Sequence, residues 1–386
     1  MSNPQEQLKL RQERVAKTFK REIPDKVPIF LAAEAYSPFY LGLKPTDVTD
    51  YDKAMDISKK VAADLNYDCT YYPYTPQNLV LSPCIEALGG SVHVVNEEFI
   101  KQINPENVTI MEPEDYPGFI KDPFNYLLEE IYPRRYKTLA GNDDEEKYQK
   151  IVGMMKSNMT YGAYCAKFEE EAGIVVLQDA QLYFNPVDII FDLLRDFRGI
   201  VRDIKKRPEE VRDAGLAMVD GILKYAATKK VLPHKAFFCP MHLPTFLTPK
   251  DFEKVYWPSF KKLTEGIVAM GHNILFEFEV DYGHLFEFLQ ELPKTNIAGI
   301  FEMKDLKLVK EKLGNTMSIV GGLDTNTLYH GTEQDCIDMV KKLIDDLAPG
   351  GGYMLGPSTP LTFPIDAKKE NLKAALDFAN EYGIYK

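Results

Sequence analysis

Asn273-Ile-Leu-Phe-Glu-Phe-Glu279 and Asn296-Ile-Ala-Gly-Ile-Phe-Glu302 are short apolar runs rich in β-formers, and each ends on a carboxylate. Helical patterns follow both, and Met317-Ser-Ile-Val-Gly321 and Gly352-Tyr-Met-Leu355 repeat the arrangement downstream. Strand runs that alternate with amphipathic helices build a parallel sheet covered by helices. Upstream, His234-Lys-Ala-Phe-Phe-Cys-Pro240 and Gly173-Ile-Val-Val-Leu-Gln178 extend the series. The helix after the first of these opens at Thr248-Pro249, a cap followed by proline, and carries Phe252, Tyr256, Phe260, Leu263, Ile267 and Met270 at helical spacing. A Thr-x-x-Asp cap at Thr332 and Asp335 starts another helix, and the last one stops at Gly383. Lys26-Val-Pro-Ile-Phe-Leu31 and Tyr67-Asp-Cys-Thr-Tyr-Tyr-Pro73 supply two further strands, so that eight units are expected. No Gly-x-Gly-x-x-Gly follows a strand, which favours a closed barrel over a doubly wound sheet.

The predicted fold class is therefore α/β, a (β/α)8 TIM barrel forming a single domain over residues 1–386. Residues 1–22 read as an N-terminal helical extension. The Pro-, Tyr- and charge-rich stretch 75–167 breaks the rhythm and reads as a long insertion between strands 2 and 3, either a lid over the barrel mouth or a passive surface excursion.

The chain has 386 residues, 45% of them hydrophobic, enough for a large core, and a net charge of −12. That charge repels a phosphate backbone or an anionic membrane, and neither nucleic acid nor membrane is an expected partner. The N-terminus is polar and charged, no run approaches 18 apolar residues, and the five widely spaced cysteines form no metal-binding or disulfide pattern. A cytoplasmic location with buried, reduced thiols is the expectation.

In a barrel, the residues that end the strands share one face, and chemistry sits there. Glu34 and Tyr36 follow the first strand, Tyr72 and Tyr74 the second, and Asp179 the third. His242 follows the fourth, Glu279 and Asp281 the fifth, and Glu302, Asp324 and Ser358 the last three. By strand alternation the carboxylates of Glu277-Phe-Glu279-Val-Asp281 point to one side, and Glu302 ends the next strand, adjacent strands lying only about 5 Å apart. A divalent metal at Glu279, Asp281 and Glu302, or a proton on one raised carboxyl, would relieve the repulsion. Ion pairing with Lys or Arg of neighbouring strands would do so as well. His242 is a candidate ligand, general acid or orienting donor, or simply a loop histidine with a hydrogen bond. Tyr36, Tyr72 and Tyr74 could line a pocket for a flat ring, although alternation buries part of such a set as ordinary core.

Several stretches together resemble the uroporphyrinogen decarboxylase superfamily, and within it the corrinoid-linked methyltransferases. They are His242-Leu-Pro-Thr-Phe-Leu with Phe252 to Trp257-Pro, Phe278-Glu-Val-Asp281, Ile300-Phe-Glu302, Val320-Gly-Gly-Leu-Asp324 and Gly350-Gly-Gly-Tyr-Met-Leu355. The arginine-rich motif of the decarboxylases after the first strand is absent, where this chain reads Leu31-Ala-Ala-Glu-Ala-Tyr36. The zinc set of the methyltransferases, a His-x-Cys pair, a Glu and a Cys, falls here on Glu279 and Asp281, Glu302, and Ser358. The resemblance keeps the Glu and loses the soft ligands, so that thiol activation is disfavoured and any zinc site would be harder. What it implies is methyl transfer from a methylated small donor, an aryl methyl ether above all, to the cobalt of a separate corrinoid protein. Glu279, Glu302 and His242 would be catalytic, and Tyr36, Tyr72, Tyr74, Asp324 and Ser358 would contact substrate. Zinc would be held by Glu279, Asp281 and Glu302. A lyase acting on a small carboxylic acid is the alternative, with a metal-dependent hydrolase and a binding protein behind it.

Overall fold

The computed structural model describes residues 3–33, 35–74, 93–95, 100–102, 109–136, 139–141, 143–182 and 185–385. Among the described residues the parallel strands, in chain order, are β1 (Cys69–Thr70), β2 (Val175–Val176), β3 (Gln178–Leu182), β4 (Ala236–Met241), β5 (Asn273–Phe278), β6 (Ile297–Phe301), β7 (Ser318–Leu323) and β8 (Tyr353–Pro357). Strands β3 to β8 form one six-stranded sheet in sequence order, with every pairing parallel, and β1 pairs with β2 in a second parallel ladder. Near residues 27–31, single parallel bridges join Ile29 to Leu355 and Phe30 to Cys69.

The expected closed ring of eight regular strands is thus replaced by a six-stranded ladder, a short pair and isolated bridges. Two local causes are visible. Pro28 has no N–H to donate, and although its carbonyl accepts from Leu355 N at 2.9 Å, a ladder through it is interrupted. On the other flank, the register between β3 and β4 shifts between Gln178 and Leu182.

Alternation sorts the side chains. Phe30, Cys69, Tyr71, Val175, Leu177, Ala236, Phe238, Leu275, Ala298, Ile300, Val320 and Met354 form one buried interior cluster. The intervening residues, such as Ile274, Phe276 and Phe278 of β5, belong to the outer core beneath the helices. The outer layer includes α1 (Pro4–Phe19), α2 (Tyr51–Leu65), α3 (Asp144–Ala172), α4 (Pro208–Ala227), α5 (Trp257–Ala269), α6 (Leu306–Leu313), α7 (Glu333–Leu347) and α8 (Lys369–Tyr382). The cap expected at Thr332 forms, with Asp335 N donating to Thr332 Oγ1 at 3.2 Å.

Helix α1 closes the N-terminal end of the strands, where its Val15 and Phe19 join the interior cluster. Arg14 forms an ion pair with the fully buried Asp68, which also accepts Ile29 N at 2.8 Å. A buried carboxylate is tolerable only with such partners, and removing one is strongly destabilising. Within 75–167, the described parts include an antiparallel pairing of His93–Val95 with Ile100–Gln102, helical turns between Pro113 and Arg135, and most of α3. Cys69, Cys165, Cys239 and Cys336 are buried free thiols, while Glu34 and Cys84 lie outside the described residues.

Candidate active site at the strand ends

The inward register of β4 runs through Ala236 and Phe238. The same two-residue step reaches His242, just past the end of the strand at Met241. Its backbone is gripped on both sides. Tyr282 Oη donates to Met241 O at 2.7 Å, and Leu243 N donates to Asp188 Oδ1 at 2.8 Å. Asp188 is fully buried and accepts a second hydrogen bond from Tyr256 Oη through Oδ2. Burial and the neighbouring Asp192 push its carboxyl up to about 7, against the hydrogen bonds from Tyr256 and Leu243.

The imidazole of His242 lies between two carboxylates. Nδ1 is 2.7 Å from Asp192 Oδ2, and Nε2 is 3.2 Å from Glu279 Oε1. Burial favours the neutral ring, but the hydrogen bonds to Asp192 and Glu279 outweigh it and hold the pKa at about 11. With an acceptor at each nitrogen, the ring donates from both and is an imidazolium at neutral pH. The counter-ion that the carboxylates require is therefore a side chain of this chain.

Glu302, just past β6, directs Oε2 at Val280 N, which donates to it at 2.8 Å. Burial raises the Glu302 carboxyl, the Val280 hydrogen bond lowers it, and the charge of Glu279 raises it further. Oε1 has no hydrogen bond among the described residues. Val280 itself has φ of +64°, a left-handed conformation that is an outlier for a β-branched side chain.

That one dihedral corrects the expectation for Asp281. Alternation ends at Val280, and Asp281 turns into its own loop, where Oδ1 accepts Gly283 N at 2.7 Å in an exposed position. The set Glu279, Asp281 and Glu302 does not converge. Glu279 is engaged by His242 and Glu302 by a peptide N–H. Among the described residues, no three His, Cys, Asp or Glu side chains are grouped to hold a metal ion. These donors do not fit zinc.

The structure also places the other residues expected to contact substrate. Tyr36 is buried in the outer core, its hydroxyl donating to Ala367 O at 2.9 Å, and burial raises its pKa. Tyr74 is buried in the outer core, and Tyr72 packs its ring 4.4 Å from that of Tyr71. Asp324 caps a helix by accepting Thr327 N at 2.9 Å, and Ser358 Oγ accepts Gly322 N at 2.9 Å.

Asp188, Asp192, Tyr256 and Tyr282 were not anticipated. The two aspartates are four residues apart in the otherwise apolar Pro186-Val-Asp-Ile-Ile-Phe-Asp-Leu-Leu194, a spacing that puts both on one helical face. The helix there contains a π-turn over Ile190–Arg195, a feature frequent at functional sites. Beside it, the exposed rings of Phe197 and Phe246 meet edge to face, 5.1 Å apart.

A family model described as uroporphyrinogen decarboxylase (URO-D) matches residues 186–382, a span containing Asp188, Asp192, His242, Glu279 and Glu302. Among solved structures, a methyltransferase from Methanosarcina mazei superposes with a TM-score of 0.60 at 15% identity, covering 96% of this chain and 98% of that one. At this identity the similarity is one of fold. Dispersin B (10% identity, 92% and 99% coverage, TM-score 0.36) and a GH5_18 protein from Streptomyces cattleya in complex with GlcNAc (10%, 93% and 81%, TM-score 0.35) are too distant to carry an argument. No curated protein shows a significant sequence match. Among the described residues, no helix is long and apolar enough to cross a membrane.

Proposed function

This chain belongs to the uroporphyrinogen decarboxylase family, and from that membership and its strand-end geometry we propose that it transfers a methyl group from an aryl methyl ether to a corrinoid carried by a separate protein. The observation that carries the reading is the His242 imidazolium bridging Asp192 and Glu279. Its positive charge offsets part of the repulsion between the carboxylates, and burial raises the carboxyl of the neighbouring Glu302.

The reduced cobalt of the corrinoid partner supplies the nucleophile for the methyl carbon. The protein's task is then to make the aryl oxygen a leaving group. Protonated Glu302 would donate from Oε1 to that oxygen as the carbon–oxygen bond breaks and its electron pair stays on oxygen, giving a phenol and the Glu302 carboxylate. Val280 N–H, donating to Oε2, holds the carboxyl in place and favours the carboxylate that the transfer leaves. Water returns the proton afterwards. A positioned acid of this kind is worth about 10²–10⁴ in rate. His242 keeps both of its N–H groups on carboxylates, so its part is to hold Glu279 and not to donate the proton.

The alternative, a lyase acting on a carboxylic acid, needs cations for its substrate. Here the His242 imidazolium is already shared by two carboxylates, and the nearby Arg195 is committed to Asp203 at 2.7 Å. The test is methyl transfer to free cob(I)alamin from a panel of methyl aryl ethers, without added divalent metal. Turnover that Glu302→Gln abolishes supports the proposal. If no donor methylates cobalt, and Glu302→Gln leaves some other activity intact, the proposal fails.

A further inference from the structure

The backbone flanking His242 is held more firmly than a loop requires. On one side Met241 O accepts the Tyr282 hydroxyl, and on the other Leu243 N donates to Asp188. Both Tyr282 and Asp188 are fully buried, and Asp188 is held in turn by Tyr256. A buried carboxyl with no Lys or Arg partner among the described residues is costly, so an apolar residue would serve simple packing better. Tyr282 needs its hydroxyl for no other partner among the described residues, and its ring already packs edge-on against Phe278 at 4.9 Å.

These two grips act on the peptide groups immediately before and after the imidazolium. The ring must bridge oxygens on two different elements, Asp192 on the helical segment after β3 and Glu279 at the end of β5. A small rotation of the His242 backbone would lengthen one bond as it shortened the other. The charged and titratable groups around the ring are Asp192, Glu279, Asp188, Tyr256, Tyr282 and, beyond Glu279, Glu302.

We infer that Asp188 and Tyr282 are positioning residues, which clamp the peptide groups on either side of His242 so that its ring spans Asp192 and Glu279. Neither touches substrate. The inference rests on the proposed role of His242 only for its kinetic consequence, because the position of the ring can be read without any substrate.

The readout is the low-field proton resonance of the His242 Nδ1–H···Asp192 hydrogen bond in histidine-¹⁵N-labelled protein, assigned by its absence in His242→Gln. Asp188→Ala is expected to broaden or remove it. Asp188→Asn is expected to restore it, because the amide oxygen still accepts Leu243 N–H while the amide N–H₂ donates to Tyr256. Tyr282→Phe keeps the ring packing and removes only the grip on Met241 O, so it gives a second test should Asp188→Ala fail to fold. With cob(I)alamin and a donor that turns over, kcat should fall about tenfold or more in the disrupted variants while KM stays within about twofold. A purely structural role would lower the melting temperature and leave the resonance in place. An intact resonance in folded Asp188→Ala, or in Tyr282→Phe, overturns the inference. Loss of the resonance with no methyl transfer from any donor would leave the clamp standing and sink the proposed reaction instead.

Discussion

Val280 N donates to Glu302 Oε2 across the gap between β5 and β6, and it does so from a residue whose φ is +64°. The strand that presents Glu279 thus also fixes the neighbouring carboxyl, through a peptide group that only an unusual backbone conformation aims correctly.

Replacing Val280 by glycine removes the steric cost of that conformation. A non-glycine residue in a sparsely populated region costs about 1–3 kcal/mol, and glycine returns part of this as a looser unfolded chain. The side chain is 58% exposed, so little packing is lost. Val280→Gly should therefore stabilise the protein by about 1 kcal/mol in urea titration, and a loss of stability would show that the valine side chain does more than the structure indicates.

Glu302→Gln keeps the shape of the side chain and removes the transferable proton. The turnover number for methyl aryl ethers should fall by about 10²–10⁴. The deficit should shrink for phenols of lower pKa, which leave without protonation. An equal deficit across a series of ring-substituted ethers would argue against Glu302 as the acid.

The pKa of His242 is about 11 in the fold, against 6.5 for the free side chain. A raised value means that the folded state holds the proton more tightly, so the contribution is complete below pH 6.5 and is lost as pH climbs from 6.5 toward 11. The stability of the wild type relative to His242→Gln should narrow over that alkaline window. Denaturation midpoints for both proteins at pH 6, 8 and 10 would reveal it, and a constant difference would contradict the imidazolium.

His272 behaves in the opposite sense. It is buried, its Nε2 has no hydrogen-bond partner among the described residues, and burial lowers its pKa from 6.5. The unfolded chain takes up the proton more readily, so stability due to this group is full above pH 6.5 and falls as pH drops below that value. His272→Phe should flatten the acid limb of the stability curve between pH 7 and pH 5. An unchanged limb would place the acid sensitivity elsewhere.

The members of the site that follow from strand register were legible in the sequence. His242, Glu279 and Glu302 each continue an inward-facing alternation, and reading two residues at a time reaches all three. Asp281 was not legible, because a left-handed valine before it resets the register, and nothing in Glu-Val-Asp signals that. The carboxylate repulsion is legible in the sequence, but its pairing with His242 is not, since that cation comes from a loop after another strand. Asp188 and Asp192 were read past as part of a helix, whose π-turn has no sequence mark. In the fold, the strand and helix units were clear. The broken ladder near Pro28 and the register shift in β3 depend on pairings that periodicity does not specify.

The seat of α1 bears on how the molecule is made. Arg21 donates to Thr316 O at 2.8 Å, Ser318 Oγ donates to Thr18 O at 2.5 Å, and Val15 and Phe19 share an interior with Met354. During synthesis, α1 must wait for about 300 further residues before its site of attachment is complete, and during that interval Val15 and Phe19 remain without their native cover. The plug at the base of the strands is therefore completed late, long after α1 itself has been made.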